Sequence, residues 1–303
     1  MFDIIIIGGG IAGITAGIYA SRAGKEVLIL EQGMYGGQIA SSSKVENFPT
    51  ITSITGADFS MKLYEQVKYL NINLKNIKVY DILIEENKKT VLTENGTFEA
   101  KSIIVATGSS NRKLNLENEQ RLLGKGVSYC ATCDGAFFKG KDVAILGGGN
   151  TALEDAVFLS NYCNKVYIIH RNDKFTGENS FIETLKTKEN VEFIFNFEIK
   201  KINGNEILES LQIINNQTKE IKELNVEGLF IAIGQVPNSS SFKSLIDINP
   251  NGYFIANEDC KTKIPGVFVS GDCRTKEIRQ LVTAASDGAV AGLEAVKYIG
   301  SLK

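Results

Sequence analysis

Apolar positions in this chain fall in short unbroken runs that end in glycine, not in the alternation of a half-exposed sheet. Ile4–Ile7 runs into Gly8, Gly9 and Gly10, and apolar and small residues from Ile11 to Ala23 follow at helical length. That order predicts a strand buried on both faces, a tight turn and a helix. Val143–Leu146 runs into Gly147, Gly148 and Gly149 and then Asn150, Thr151 and Ala152, the same pattern 139 residues later. Ser102–Val105 before Ala106-Thr107-Gly108 and Gly228–Ile231 before Ala232-Ile233-Gly234 form a second matched pair, expected to be the strands that close each turn from the other side. The stretches 72–99 and 191–224 mix short apolar runs with Asn, Lys, Glu and Gly, and read as small β-ribbon insertions. From Asn249, short strands lead to Gly271-Asp272-Cys273 and a helical pattern over Gln280–Tyr298. This tail carries no glycine turn of its own, so it is expected to complete the first domain. The fold expected is α/β, with two Rossmann-like dinucleotide-binding domains of three-layer ββα form, the second inserted into the first: residues 1–113 with 243–303, and residues 114–242.

Both glycine turns match a dinucleotide fingerprint, Gly8, Gly10 and Gly13 in one and Gly147, Gly149 and Ala152 in the other. In such a turn the first glycine makes the bend, the second lets the backbone approach a pyrophosphate, and the third small residue lets helix pack on strand. The residue ending the next strand meets the adenosine ribose. In the first copy it is Glu31, whose carboxylate suits ribose hydroxyls and repels a 2'-phosphate, so this copy is expected to hold FAD or NAD. In the second it is His170, followed by Arg171, a cationic pair that suits the 2'-phosphate of NADPH.

Composition adds mainly exclusions. With 43% hydrophobic residues, 22% charged residues and a net charge of −2, the chain is long enough for two ordinary domains and has no basic cluster for nucleic acid. Its apolar runs are far shorter than the roughly 20 residues of a bilayer span. The start at Met1-Phe2-Asp3 lacks the basic segment of a secretory signal, so a cytoplasmic location is expected. Five cysteines and one histidine exclude a disulfide-stapled scaffold, a Ser-His-Asp triad and a histidine-based zinc site.

Two of the cysteines, Cys130 and Cys133, stand in a Cys-Ala-Thr-Cys-Asp segment. The spacing lets them form a disulfide at a helix start, where the dipole lowers a thiolate pKa. Asp134 then stands where a carboxyl can pass a proton to the leaving thiolate. Half of a zinc site and a pair of plain core cysteines are the competing readings. Cys163, Cys260 and Cys273 form no second pair, which speaks against zinc, and no metal is expected.

Taken together, Gly8–Gly13, Gly36-Gly37-Gln38, Val45–Pro49, Ala106–Gly108, Cys130–Asp134, Gly147–Ala152, Ile233-Gly234, Gly271-Asp272 and Arg279-Gln280 resemble, in order and over essentially the whole chain, the low-molecular-weight thioredoxin reductases. The resemblance implies FAD in the first domain, lined by Glu31, Gly36, Gly37, Gln38, Ala106, Thr107, Gly108, Gly271, Asp272, Arg279, Gln280 and Leu281, with Asn47 close to the flavin. It implies NADPH in the second, at Gly147, Gly149, Asn150, Thr151, His170, Arg171, Ile233 and Gly234. It implies electron flow from NADPH through FAD to the Cys130–Cys133 disulfide and on to thioredoxin, with Cys133 facing the flavin and Cys130 attacking the partner. A homodimer and a rotation of the inserted domain, hinged near Arg112–Asn115 and Ser240–Ser244, are also implied. One departure stands out. The family places arginines where this chain has Asn172 and Thr176, and losing such charge-assisted contacts removes about 1.5 to 3 kcal/mol each before screening. Lys174 is the remaining candidate to compensate. NADH, ferredoxin or a different thioredoxin-like target therefore stays open as an alternative, as does a regulatory nucleotide-binding module without rapid turnover.

Overall fold

The computed structural model describes residues 1–302 except 43, 86 and 87. Contacts divide it into two compact units, Met1–Ser110 with Val236–Lys303, and Asn111–Gln235. In chain order the first unit contains β1 (Phe2–Ile7), α1 (Ile11–Arg22), β2 (Val27–Glu31), α2 (Gly56–Tyr69), β3 (Asn73–Asn76), β4 (Val79–Ile84), β5 (Lys89–Thr93) and β6 (Gly96–Val105), and β7 (Ser109–Asn111) leads out of it. The second contains β8 (Val127–Ser128), α3 (Ala131–Asp134), β9 (Asp142–Leu146), α4 (Asn150–Ser160), β10 (Lys165–His170), α5 (Asn179–Lys186), β11 (Val191–Phe195), β12 (Phe197–Asn203), β13 (Ser210–Asn215), β14 (Ile221–Asn225) and β15 (Gly228–Ile231). The chain returns through β16 (Gln235–Pro237) to β17 (Val267–Val269) and α6 (Leu281–Ser301).

Each unit repeats one architecture. The first has parallel strands in the order β3-β2-β1-β6-β17, and β6 also pairs along its first half with an antiparallel meander of β5 and β4. The second has parallel strands in the order β11-β10-β9-β15-β8 beside an antiparallel β12-β13-β14 meander. The unbroken apolar runs have a direct cause. Ile4 and Ile6 pack toward the helices, Ile5 and Ile7 toward the other face, and all four are buried. In β9, Val143 and Ile145 face α4 while Ala144 and Leu146 face the meander. The expected α/β fold of two Rossmann-like domains is present.

The ribbon insertions expected over 72–99 and 191–224 need correction, because each opens with a parallel strand. β3 extends the first sheet from β2, and β11 extends the second from β10. β3 reads Asn-Leu-Lys-Asn and is mostly exposed, as an edge strand tolerates, so it carries no apolar run to betray it. The chain passes from one unit to the other inside β7 and β16. Ser240 and Ser241 line a cavity in the first unit. The tail joins that unit: β17 pairs with β6, and α6 lies so close to α1 that a Cβ on Gly288 would stand 2.2 Å from the Ala12 carbonyl oxygen. No described helix is long and apolar enough to cross a membrane.

Candidate active site

A cavity of about 680 Å³ opens in the first unit at the carboxyl ends of β1 and β6. Gly8, Gly10, Glu31, Gly36, Gly37, Gln38, Ala106, Thr107, Gly108, Gly271, Asp272, Gln280 and Leu281 all line it. Gly8 has φ +114°, and a Cβ there would stand 2.2 Å from the Ala106 carbonyl oxygen. The N-cap of α1 is Gly10, with no side chain over the helix start, so its first amide groups are available to an anion. Gly13 lies outside the cavity, where its missing Cβ lets the helix sit on the Gly8 carbonyl. Glu31 accepts hydrogen bonds from the Gly9 N–H (2.6 Å) and the Gly33 N–H (2.7 Å), tying the strand end to the turn.

Two polar atoms in this cavity's wall point to its use. Asp272 Oδ1 and Ser270 Oγ are buried and have no hydrogen-bond partner among the described residues. Such orphans are costly unless a ligand satisfies them. The uncapped helix, the side-chain-free turn and these atoms together fit a flavin dinucleotide. Arg279 acts one step back: its guanidinium stacks on Tyr253, 4.0 Å from the ring centre, and reaches the carbonyls of Asp272 (3.5 Å) and Arg274 (3.4 Å). Asn47 contacts the site through Gln280 at 3.4 Å, and Gln38 donates to the Ser109 carbonyl.

Several supporting residues gave no sequence signal. Asn238 binds the Thr107 hydroxyl through its carbonyl (2.7 Å) and the Thr107 carbonyl through its amide (2.9 Å), bracing the Ala106–Gly108 turn. Buried Arg274 makes two 2.7 Å bonds to Asp287, which also accepts the Gly271 N–H (3.0 Å) and pairs with Lys276 (3.0 Å). Burial would raise the Asp287 carboxyl, but Arg274 and Lys276 hold it below the usual range.

The second unit repeats the turn. Gly147 has φ +154°, and a Cβ on it would meet the Ala232 carbonyl oxygen at 2.4 Å, as Gly8 meets Ala106. Gly149 is the uncapped N-cap of α4 and faces open space apart from Thr176 Oγ1 at 4.0 Å. The Gly148 carbonyl receives the Thr176 N–H (2.8 Å), the Gly177 N–H (3.0 Å) and the Thr176 hydroxyl (3.1 Å), much as the Gly9 carbonyl receives the Gly36 N–H (2.8 Å). Asn150 and Thr151 are exposed at the helix start, with Asn150 in reciprocal hydrogen bonds to Glu178. Ile233 and Gly234 follow β15, and the Gly234 carbonyl accepts the Arg112 N–H (3.1 Å).

Burial of His170 works against its sharing a positive charge with Arg171. His170 is only 8% exposed, burial pushes its pKa below the ordinary histidine value, and Nε2 has no described partner. Its ring lies against Gly148 and beside Phe175, which packs on Phe193 and Phe195. Burial thus favours the neutral imidazole, which serves as the floor of the turn. Arg171 and Lys174 remain as exposed cations, while Thr176 is turned back onto Gly148. A Cβ on Gly148 would stand 2.4 Å from the His170 ring. Gly148→Ala is expected to cost about 1 to 3 kcal/mol through overpacking and to weaken nicotinamide nucleotide binding, leaving flavin content unchanged. Thermal unfolding and flavin absorbance on one sample check both halves.

Cys130 and Cys133 form a disulfide in this second unit. Cys130 caps α3, its Sγ accepting the Cys133 N–H at 3.2 Å. Both sulfur residues are half-buried, whereas Cys163, Cys260 and Cys273 are free and buried. Burial pushes the Cys163 thiol up to about 11, pushes Cys260 to about 12 and raises Cys273 as well, so none is a thiolate at neutral pH. Asp134 accepts the Ser128 hydroxyl at 2.6 Å on Oδ2, while buried Oδ1 has no described partner, and burial raises its pKa. Tyr129, next to the pair, donates to buried Glu119 at 2.6 Å, which also holds the Leu114 and Asn115 amides (2.9 and 2.8 Å).

Comparison with known families matches residues 2–288 to the pyridine nucleotide-disulphide oxidoreductases. The chain belongs to this family. Members of this family work with a flavin and a nicotinamide nucleotide, and this pyridine nucleotide-disulphide oxidoreductase carries the redox disulfide as well. A "34.2 kDa protein in rubredoxin operon" of Clostridium pasteurianum is 41% identical to it over 299 residues, covering 98% of this chain and 97% of the relative. A thioredoxin reductase of Helicobacter pylori is 41% identical over 308 residues, covering 99% of each. The crystal structure of thioredoxin reductase from Streptococcus pyogenes matches at a TM-score of 0.95 and 37% identity, covering 100% of this chain and 99% of that one.

Proposed function

We propose that this oxidoreductase is a thioredoxin-disulfide reductase that draws on NADPH. The observation that carries the reading is a complete second nucleotide turn, Gly147–Thr151, in the same unit as the Cys130–Cys133 disulfide. FAD, when bound, would supply hydride acceptance from a nicotinamide and two-electron transfer to a disulfide. The first unit would hold it, with the start of α1 for the pyrophosphate, Glu31 for the adenosine ribose, and Ser270 and Asp272 for polar groups of the dinucleotide. The second unit supplies the NADPH site, with Arg171 and Lys174 toward the 2'-phosphate. Cys133 takes the electrons and Cys130 attacks the thioredoxin disulfide. Asp134, kept protonated more readily than an exposed carboxyl, hands a proton to the departing thiolate. Three free buried thiols suit a reducing cytoplasm, and we place the working form as a homodimer.

A second reading concerns the donor alone, because Asn172 and Thr176, whose hydroxyl bonds the Gly148 carbonyl, stand in place of cations. Arg171 and Lys174 are the exposed cations beside this turn, and NADH, or ferredoxin in place of a nicotinamide nucleotide, is the alternative source of electrons. Anaerobic titration of the flavin band with NADPH and NADH separates them. Bleaching at low NADPH, followed by reoxidation with thioredoxin, is the expected result. Equal bleaching by NADH would overturn the donor assignment, and bleaching by neither would point to ferredoxin.

A further inference from the structure

Asp134 depends on a neighbour that no sequence motif identifies. Ser128, at the end of β8, is 2% exposed, and its hydroxyl is the only described partner of the Asp134 carboxyl. The same oxygen accepts the Cys130 N–H at 3.0 Å and lies 3.3 Å from the Cys130 carbonyl oxygen. One hydroxyl thus bridges the acid and the backbone of the redox pair. Its single proton has two acceptors, Asp134 Oδ2 and the Cys130 carbonyl.

The geometry points to Ser128 as a positioning residue of the disulfide reaction, whose hydroxyl turns between Asp134 and the Cys130 carbonyl as the acid gains and loses its proton. This rests on the proposed reductase reading. With Asp134 ionised, Ser128 donates to Oδ2. With Asp134 protonated, the acid proton points to Ser128 Oγ and the serine hydrogen swings to the Cys130 carbonyl. Oδ2 is satisfied in both states, and it is the oxygen that carries the acid proton and releases it to the sulfur, the serine hydrogen swinging back to Oδ2 as it does so. In the balanced step the Cys130–Cys133 bond breaks, each sulfur gains one electron, and two protons are taken up. One comes from Asp134, which is left as a carboxylate and refilled from water, and the other comes from water.

Among the described residues, no other group around the acid takes this place. On α4, which packs against α3, Glu154 and Asp155 are the titratable groups; Lys139 follows the turn Gly135–Phe138, and Tyr129 follows β8. None of them shifts Asp134, on which only burial and Ser128 act. Burial raises its pKa and the serine opposes that rise.

The test is the reduction potential of the Cys130–Cys133 pair between pH 5 and 9, set against dithiothreitol on the flavin-containing protein. Dithiothreitol supplies the electron pair and closes to its cyclic disulfide. A proton-coupled acid bends the potential–pH curve at its pKa. Asp134→Asn is expected to remove one bend, Ser128→Ala to move that bend upward by about one pH unit, and Ser128→Thr, which keeps the hydroxyl, to restore it. Coincident curves for Ser128→Ala and the unsubstituted protein would overturn the proposal, as would a curve unchanged in Asp134→Asn. Flavin absorbance and circular dichroism of each variant establish that it is folded. Failure of the reductase reading would look different, as absent thioredoxin turnover with the bend still in place.

Discussion

Cys133→Ser is expected to abolish reduction of thioredoxin, by roughly 10^4-fold or more, while leaving bleaching of the flavin by the nicotinamide nucleotide intact. The two half-reactions separate because the nucleotide turn at Gly147–Thr151 and the sulfur pair are different parts of the second unit. No other thiol is placed to take over. Cys163, Cys260 and Cys273 are buried, and burial raises the pKa of each, so none supplies an accessible thiolate. Stopped-flow absorbance reads the first half-reaction and insulin-coupled turnover with thioredoxin reads the second. Turnover surviving in Cys133→Ser would place disulfide exchange elsewhere in the protein and sink the assignment.

Asp287→Asn is expected to be the most damaging single change outside the sulfur pair. The substitution removes the charge that balances Arg274, 1% exposed, and Lys276, whose side chain is 7% exposed. Stranding buried cations in this way costs about 3 to 5 kcal/mol. It also loosens the Gly271 N–H, held at 3.0 Å, and with it the turn that presents Asp272 to the cavity. Denaturant unfolding with and without added FAD is expected to fall by that amount, with flavin lost on gel filtration. Glu258 is the control, since it touches Arg274 at 3.2 Å from a side chain 93% exposed. Glu258→Ala is expected to change stability by well under about 1 kcal/mol. Equal effects at 258 and 287 would show that burial of this pair is not what matters. The pH dependence has a definite sign: Asp287 is held below the ordinary carboxylate range, so its contribution is present above that range and is lost as pH falls through its folded value.

Much of the machinery was legible because its causes are local. A glycine turn declares itself wherever backbone must approach backbone, as at Gly8 and Ala106 or Gly147 and Ala232. A four-residue cysteine spacing carries its own ring closure, and a strand buried on both faces must be apolar throughout. These facts belong to short stretches of chain, so the two Rossmann-like folds, the paired nucleotide turns and the sulfur pair follow from the sequence by itself. Burial and long-range pairing belong to the tertiary structure alone. His170 stands where a ribose-contacting residue stands in the repeat, yet burial against Gly148 and Phe175 lowers its pKa. β3 hides in a polar edge segment. Asn238 reaches the Thr107 turn across more than a hundred residues, and Arg274 is buried against Asp287 of α6. Ser128 acquires its role when the chain folds Asp134 back over β8. Residue type and spacing determine which chemistry is possible here, but the protonation state of each group depends on what the fold buries beside it, and no pattern along the chain encodes that.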